Sequence, residues 1–113
     1  MKIKVELLAF MNGEIREVEI PNDLKNITDD ELFEKVFHYG QNDFQPVEGR
    51  CSVSAGDVIH YDGRKCFIAM TGFEDLSEET YLKYKSVPRR DRGLVQFTPN
   101  EELEGKINEL AVN

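Results

Sequence analysis

The side chains with catalytic potential in this chain are Cys51 and Cys66, His38 and His60, and four runs of carboxylates at Asp29-Asp30-Glu31, Glu74-Asp75, Glu78-Glu79 and Glu101-Glu102. A cysteine or serine nucleophile needs a histidine and an orienting acid within hydrogen-bond reach, and Asp57 is the nearest candidate acid. The spacing does not assemble such a set. Alternation places Cys66 and His60 on opposite faces of one strand pair, and neither cysteine opens a helix or belongs to a Cys-x-x-Cys pair that would lower its pKa. No two of the four lie at zinc-ligand spacing. Three of the four carboxylate runs fall at expected helix starts, where acids stabilise the helix dipole without doing chemistry. Gly56, Gly63 and Gly72 are too far apart for a phosphate loop and read as turn residues. The expectation is a protein that is not an enzyme and uses no cofactor and no metal.

Charge is laid out unevenly. The chain has 22 acidic and 14 basic side chains, and five of the basic ones, Lys83, Lys85, Arg89, Arg90 and Arg92, crowd into one stretch with Asp91. The remainder therefore holds 21 acids against 9 bases, a surface that repels nucleic acid and suits basic partners. The basic stretch itself could grip phosphate through Arg89, Arg90 and Arg92 beside Tyr84, or could pair with the protein's own acids, such as Glu101, Glu102 and Glu104. A polar loop with Gln41, Asn42, Phe44 and Gln45 offers amides around an aromatic anchor, as binding loops do, or connects elements with Phe44 tucked inward.

The elements that must position these groups are short. Ile3, Val5, Leu7, Ala9 and Met11 alternate strictly, and Asn12-Gly13 suits a two-residue type I′ turn. That turn predicts a hairpin over residues 3 to 20 pairing Met11 with Glu14, Ala9 with Arg16, Leu7 with Val18 and Val5 with Ile20. The other face carries Lys4, Glu6, Glu17 and Glu19 and sets Glu6 against Glu19, a like-charge pair. Thr28-Asp29-Asp30-Glu31 is a capping box, with Ile27 and Leu32 as its staple, for a helix running to about Tyr39 and stopped by a left-handed Gly40. Cys51 to Ser54 reads as a short strand. Asp57 to Tyr61 and Lys65 to Met70 form a hairpin about Asp62-Gly63, pairing Ile59 with Cys66 and Tyr61 with Arg64. Its two apolar faces predict a central pair covered on both sides. Ser77 caps a second helix ending before Pro88, and Pro88 to Gly93 reads as an exposed loop. Leu94 to Phe97 reads as a strand, and Thr98-Pro99-Asn100-Glu101 as a capping box for a C-terminal helix over 99–111.

These signals predict one small α+β domain over residues 1–113, made of antiparallel hairpins and two or three packed helices. A hydrophobic content of 40 % supports one core. There is no apolar run of about 18 residues that a membrane span needs, and the alternating N-terminus is unlike a signal peptide, so a cytoplasmic location in a host cell is expected, with both cysteines as buried thiols. An open edge on the first hairpin would allow pairing with a second copy.

The run Phe37 to Pro46, with Ser52 to Ile59 and Pro88 to Arg92, resembles segments of small phage- and plasmid-encoded proteins. The likeness spans about residues 1 to 93 and brings no activity with it. It implies the company of mobile elements, whose small acidic proteins block host nucleic-acid-binding defence proteins, CRISPR effectors among them, by presenting carboxylates where phosphates are expected. The function expected is therefore an acidic interaction protein, anti-CRISPR-like, with Glu17, Glu19, Asp29, Asp30, Glu34 and Asp43 as contacts for a basic partner. The alternative is a small nucleic-acid-binding module using Tyr84, Arg89, Arg90 and Arg92.

Overall fold

The computed structural model describes residues 1–21 and 26–112. Among them, five strands form one antiparallel sheet in the order β2-β1-β3-β4-β5, with β1 Lys2–Leu7, β2 Glu14–Glu19, β3 Val58–Tyr61, β4 Arg64–Ile68 and β5 Phe73–Leu76. Four α-helices flank it: α1 Asp29–Tyr39, α2 Glu78–Ser86, α3 Arg92–Gln96 and α4 Leu103–Leu110. The α+β class is as the sequence predicts.

Strand alternation divides the core in two. Ile3, Val5, Leu7, Val18, Ile59, Cys66 and Ile68 face Leu32, Phe33 and Val36 of α1. Val58 and Phe67 face the opposite way, into a second cluster with Tyr81 and Tyr84 of α2, Val95 of α3 and Leu103 and Ile107 of α4. The central pair is thus covered on both sides, with the predicted register of Ile59 opposite Cys66 and Tyr61 opposite Arg64. Met70, expected to end the second strand of this pair, instead lies beyond it and is 58 % exposed.

The first hairpin has a different register. Leu7 lies opposite Glu14, Val5 opposite Arg16 and Ile3 opposite Val18, so residues 8–13 form a six-residue connection rather than a two-residue turn. Asp57 and Arg92 hold this connection out of the ladder. Asp57 accepts the Ala9 N–H at 2.9 Å, and Arg92 donates to the carbonyls of Leu8 at 2.9 Å and Met11 at 3.3 Å. Because the shift is even, each side chain keeps its predicted face. Lys4 now opposes Glu17 and Lys2 opposes Glu19, which removes the Glu6–Glu19 repulsion.

The capping box at Thr28 and Glu31 and the Ser77 cap form as predicted. Gly40 ends α1 without a left-handed conformation, at φ −78°. Close approach explains the glycine there, since a Cβ would lie 2.4 Å from Val53 Cγ2. Residues 51–54 form no strand, because the Val53 backbone pairs with Gly40 O and the Gln41 side chain instead of the sheet. The predicted loop and strand over 88–97 are a 3-10 turn, Arg89–Asp91, leading into α3. Arg92 draws this segment inward by also donating to Val87 O and Lys85 O, the unpaired carbonyls at the end of α2. Thr98 donates its hydroxyl back to Leu94 O and does not cap, so a 3-10 turn, Asn100–Glu102, precedes α4. β5 was not expected from its sequence.

The outer edge of β2 is partly covered. Gln45 pairs both amide atoms with the Glu19 backbone, at 3.0 and 2.8 Å, and Arg50 Nε donates to Ile15 O at 3.0 Å. These contacts occupy part of the edge on which pairing with a second copy is premised. No helix among the described residues is long and apolar enough to cross a membrane.

Candidate functional site

The six expected contact carboxylates are exposed but do not form one patch. Asp30 and Glu34 lie one turn apart on α1 and share a surface. Glu17 and Glu19 alternate with the buried Arg16 and Val18 of β2, so they project from the opposite face of the sheet to α1. There they oppose Lys4 and Lys2, and Glu19 meets the N-terminal ammonium at 3.4 Å. Asp29 is bridged by Arg64, which also holds Asp75 at 2.9 Å. Asp43 lies on the exposed part of the connection after α1.

Arg92 is the buried cation of the basic stretch, and most of the others stay at the surface but are engaged by the protein's own groups. Tyr84 is fully buried and donates its hydroxyl to Gly56 O. Arg92 is 8 % exposed, with its guanidinium spread over four backbone carbonyls. Arg89 donates to Phe10 O at 2.7 Å, Lys83 pairs with Glu79 and Lys85 with Glu6. Arg90 is open to solvent, at 3.7 Å from Asp91. The acids of the C-terminal segment, Glu101, Glu102 and Glu104, take none of these cations among the described residues.

The amide loop is occupied in the same way. Arg16 is 1 % exposed and donates to Asn42 Oδ1 at 2.6 Å, to Cys51 O at 2.8 Å and to Gln45 O, while its Nε has no partner among the described residues. Gln41 binds Phe37 O and Val53 O. Phe44, half exposed, stacks on His38 with ring centroids 4.2 Å apart.

Neither thiol is activated. Burial and the hydrogen bond to Asp75, 2.9 Å away, push the Cys66 thiol up to about 12, and burial raises Cys51 as well. Cys51 is half-buried, short of the expected full burial. His60 does find an acid, though not Asp57. Its Nε2 lies 2.9 Å from Glu6 Oε1, which also accepts the Tyr81 hydroxyl, while Lys85 Nζ sits 3.4 Å from Glu6 Oε2. Burial would raise the Glu6 pKa, but the His60 and Tyr81 hydrogen bonds and the Lys85 charge outweigh it and lower the net value. This group ties α2 to the sheet beneath Tyr81, which is 7 % exposed. Alternation put Glu6 on the polar face, but nothing local to Glu6 signals that a helix 75 residues later covers it.

A second acidic surface was missed. Glu74, Thr80, Asn100, Glu101 and Glu104 line a cleft of about 380 Å³ between β5, the start of α2 and α4. Its charged lining is entirely carboxylate, drawn in part from the runs Glu74-Asp75 and Glu101-Glu102, whose sequence does not show that they meet. Among the described residues, no three Asp, Glu, His or Cys side chains converge as metal ligands would. Compared with known proteins, the chain matches no family model, no curated protein and no solved structure.

Proposed function

We propose that this protein is a non-enzymatic acidic interaction module that docks on a basic nucleic-acid-binding protein and blocks it, in the manner of anti-defence proteins of mobile elements, a CRISPR effector being one such target. The observation that supports this reading is the fate of the two charge signs. Arg16, Arg50, Arg89 and Arg92 are committed to backbone carbonyls, and Arg64, Lys65 and Lys106 to internal ion pairs. Asp30, Glu34, Asp43, Glu74, Glu101 and Glu104 have no ion-pair partner among the described residues. The carboxylates free to meet a partner therefore outnumber the free cations. Contacts of this type speed association and weaken with salt.

The test is a capture of host proteins by the tagged chain, with and without nuclease, eluted by rising salt and identified by mass spectrometry. The expected result is a basic nucleic-acid-binding protein that survives nuclease treatment and whose activity on nucleic acid falls when purified protein is added. Reversing Asp30 and Glu34 to Lys should weaken capture far more than reversing Glu48 and Glu109, which are exposed but border neither the acidic cleft nor the α1 patch. Equal effects would remove the α1 patch, and capture of nucleic acid itself, lost on Arg90→Glu, would favour the basic-loop module instead.

A further inference from the structure

One end of the molecule carries an apolar groove with acidic banks. The β4–β5 connection closes through a hydrogen bond from Ala69 N–H to Gly72 O at 3.0 Å, leaving Met70 and Thr71 at its tip and Gly72 at φ +78°. Thr71 O in turn accepts from Asn100 Nδ2 at 2.9 Å, which pins the tip to the turn before α4. Met70, 58 % exposed, is thus held out by a braced turn. It forms the shared wall of two hollows. One, of about 250 Å³, lies between Phe37 of α1 and Phe73; the other, of about 380 Å³, lies against Phe97 and Pro99. Phe37 is 39 % and Phe97 66 % exposed.

The charged side chains lining these hollows are Glu34 on one bank and Glu101 on the other. Neither is neutralised by a described residue. Asn100 and Glu101 also border the acidic cleft, which extends the negative bank towards Glu74 and Glu104. Large exposed apolar side chains in a row are costly to leave in water, and a rim of one charge sign sets which partner can cover them. An anionic surface such as a membrane headgroup or a nucleic acid would be repelled by both banks.

We infer that this groove receives a basic amphipathic segment of the partner protein, with apolar residues seated along Phe37, Met70 and Phe97 and lysines or arginines reaching Glu34 and Glu101. The inference rests on the docking function proposed above and names its anchor. Carboxylates alone give a fast, salt-sensitive encounter, whereas the apolar seat supplies the slow dissociation that an inhibitor needs.

The probes are three synthetic peptides: an amphipathic helix of Leu and Lys, an oligolysine of the same charge, and the amphipathic helix with Glu in place of Lys. Binding is read by calorimetry and by the methyl signals of the three methionines, labelled with ¹³C. The expected result is that the Leu/Lys peptide binds tightest, moves the Met70 methyl and leaves Met11 unmoved. Met70→Ser and Phe97→Ser, both at exposed sites, should each weaken it roughly tenfold, while Glu17→Lys with Glu19→Lys leaves it unchanged. Oligolysine binding as tightly as the amphipathic peptide would overturn the groove but keep an electrostatic docking function. Equal binding of the Glu peptide would overturn the charge match, and a Met70 signal that shifts with protein concentration alone would assign the groove to a second copy. Failure of every cationic peptide to bind would remove the groove and the docking function together.

Discussion

Arg16→Met separates two opposite accounts of the buried guanidinium. Arg16 makes three hydrogen bonds to neutral oxygens and has no carboxylate within reach among the described residues. Deleting it leaves Asn42 Oδ1, Cys51 O and Gln45 O without that donor, at ~1–3 kcal/mol for each acceptor that stays buried, or about 6 kcal/mol for the three at mid-range. Against this, a buried cation carries a desolvation cost of several kcal/mol that methionine would not. The first effect should win, because residues 41–50 are tied to β2 through few other bonds, chiefly the Gln45 pair on Glu19 and Arg50 on Ile15. A net loss of about 3 kcal/mol is expected, which would lower the urea midpoint by ~2 M if the slope is ~1.5 kcal/mol/M. Hydrogen exchange should show the loss concentrated in residues 41–52, and the uncovered β2 edge should make the variant self-associate. An unchanged or raised midpoint would refute the reasoning, since it would mean that burying the charge costs as much as its hydrogen bonds return.

The remaining predictions concern single groups in the core. Burial raises the Asp57 pKa from 3.8 to about 6 against the opposing backbone N–H bonds from Ala9 and Ser54. An acid whose folded pKa lies above its unfolded one binds its proton more tightly in the native state, so its contribution is full below the unfolded pKa of 3.8 and is lost as pH rises to about 6. Between pH 7.5 and 5 the wild type should gain about 1 kcal/mol that Asp57→Asn does not, read as the difference between their denaturation midpoints. Glu6 and Asp75, whose pKa values are lowered, act in the opposite sense and weaken the fold only under more acid conditions. Gly40→Ala should cost 1–3 kcal/mol by the usual scale of overpacking, its Cβ meeting Val53 Cγ2 at 2.4 Å and Val36 O at 2.8 Å. Gly105→Ala, in α4 with open space around it, should stabilise by up to about 1 kcal/mol, and thermal melts of the two variants read both signs.

Signals carried by adjacent residues were legible in the sequence. Asp62-Gly63 set the β3–β4 register, and Thr28-Glu31 and Ser77 set the starts of α1 and α2. Signals that depend on distant partners were not. The Asn12-Gly13 turn lost to Asp57 and Arg92, which lie 48 and 84 residues from the backbone groups they hold at Ala9 and Leu8. β5 was missed because Phe73-Glu74-Asp75-Leu76 carries two acids in four residues, and it pairs only because β4 presents a free edge. The role of Arg16 could have been found. Alternation placed it on the core face, and an arginine there must find acceptors, which the amide-rich loop at Gln41 to Gln45 supplies. The six expected contact carboxylates lie on different surfaces for a related reason, because alternation along β2 fixes a face but not which side of the sheet α1 covers.

The net charge of −8 sets the long-range field, but the contact surface is set by which charges keep free atoms. A guanidinium bound to backbone carbonyls still contributes its charge at a distance, yet it has no fork left to offer a phosphate or a carboxylate. Arg16 and, within the basic stretch, Arg92 are in that position, so they weaken the protein's negative field without adding to a matching positive surface. At physiological salt, charges more than a Debye length of about 8 Å from the contact are largely screened, so a docking partner responds to local charge rather than to the total. Around Glu34, Glu101 and the neighbouring cleft that local charge is carboxylate, and it borders the largest exposed apolar side chains at this end of the sheet, Met70 and Phe97. The same arginines that lock the fold therefore leave the acids unopposed at the groove, which is why an increase in salt should slow association with a basic partner more than it speeds dissociation.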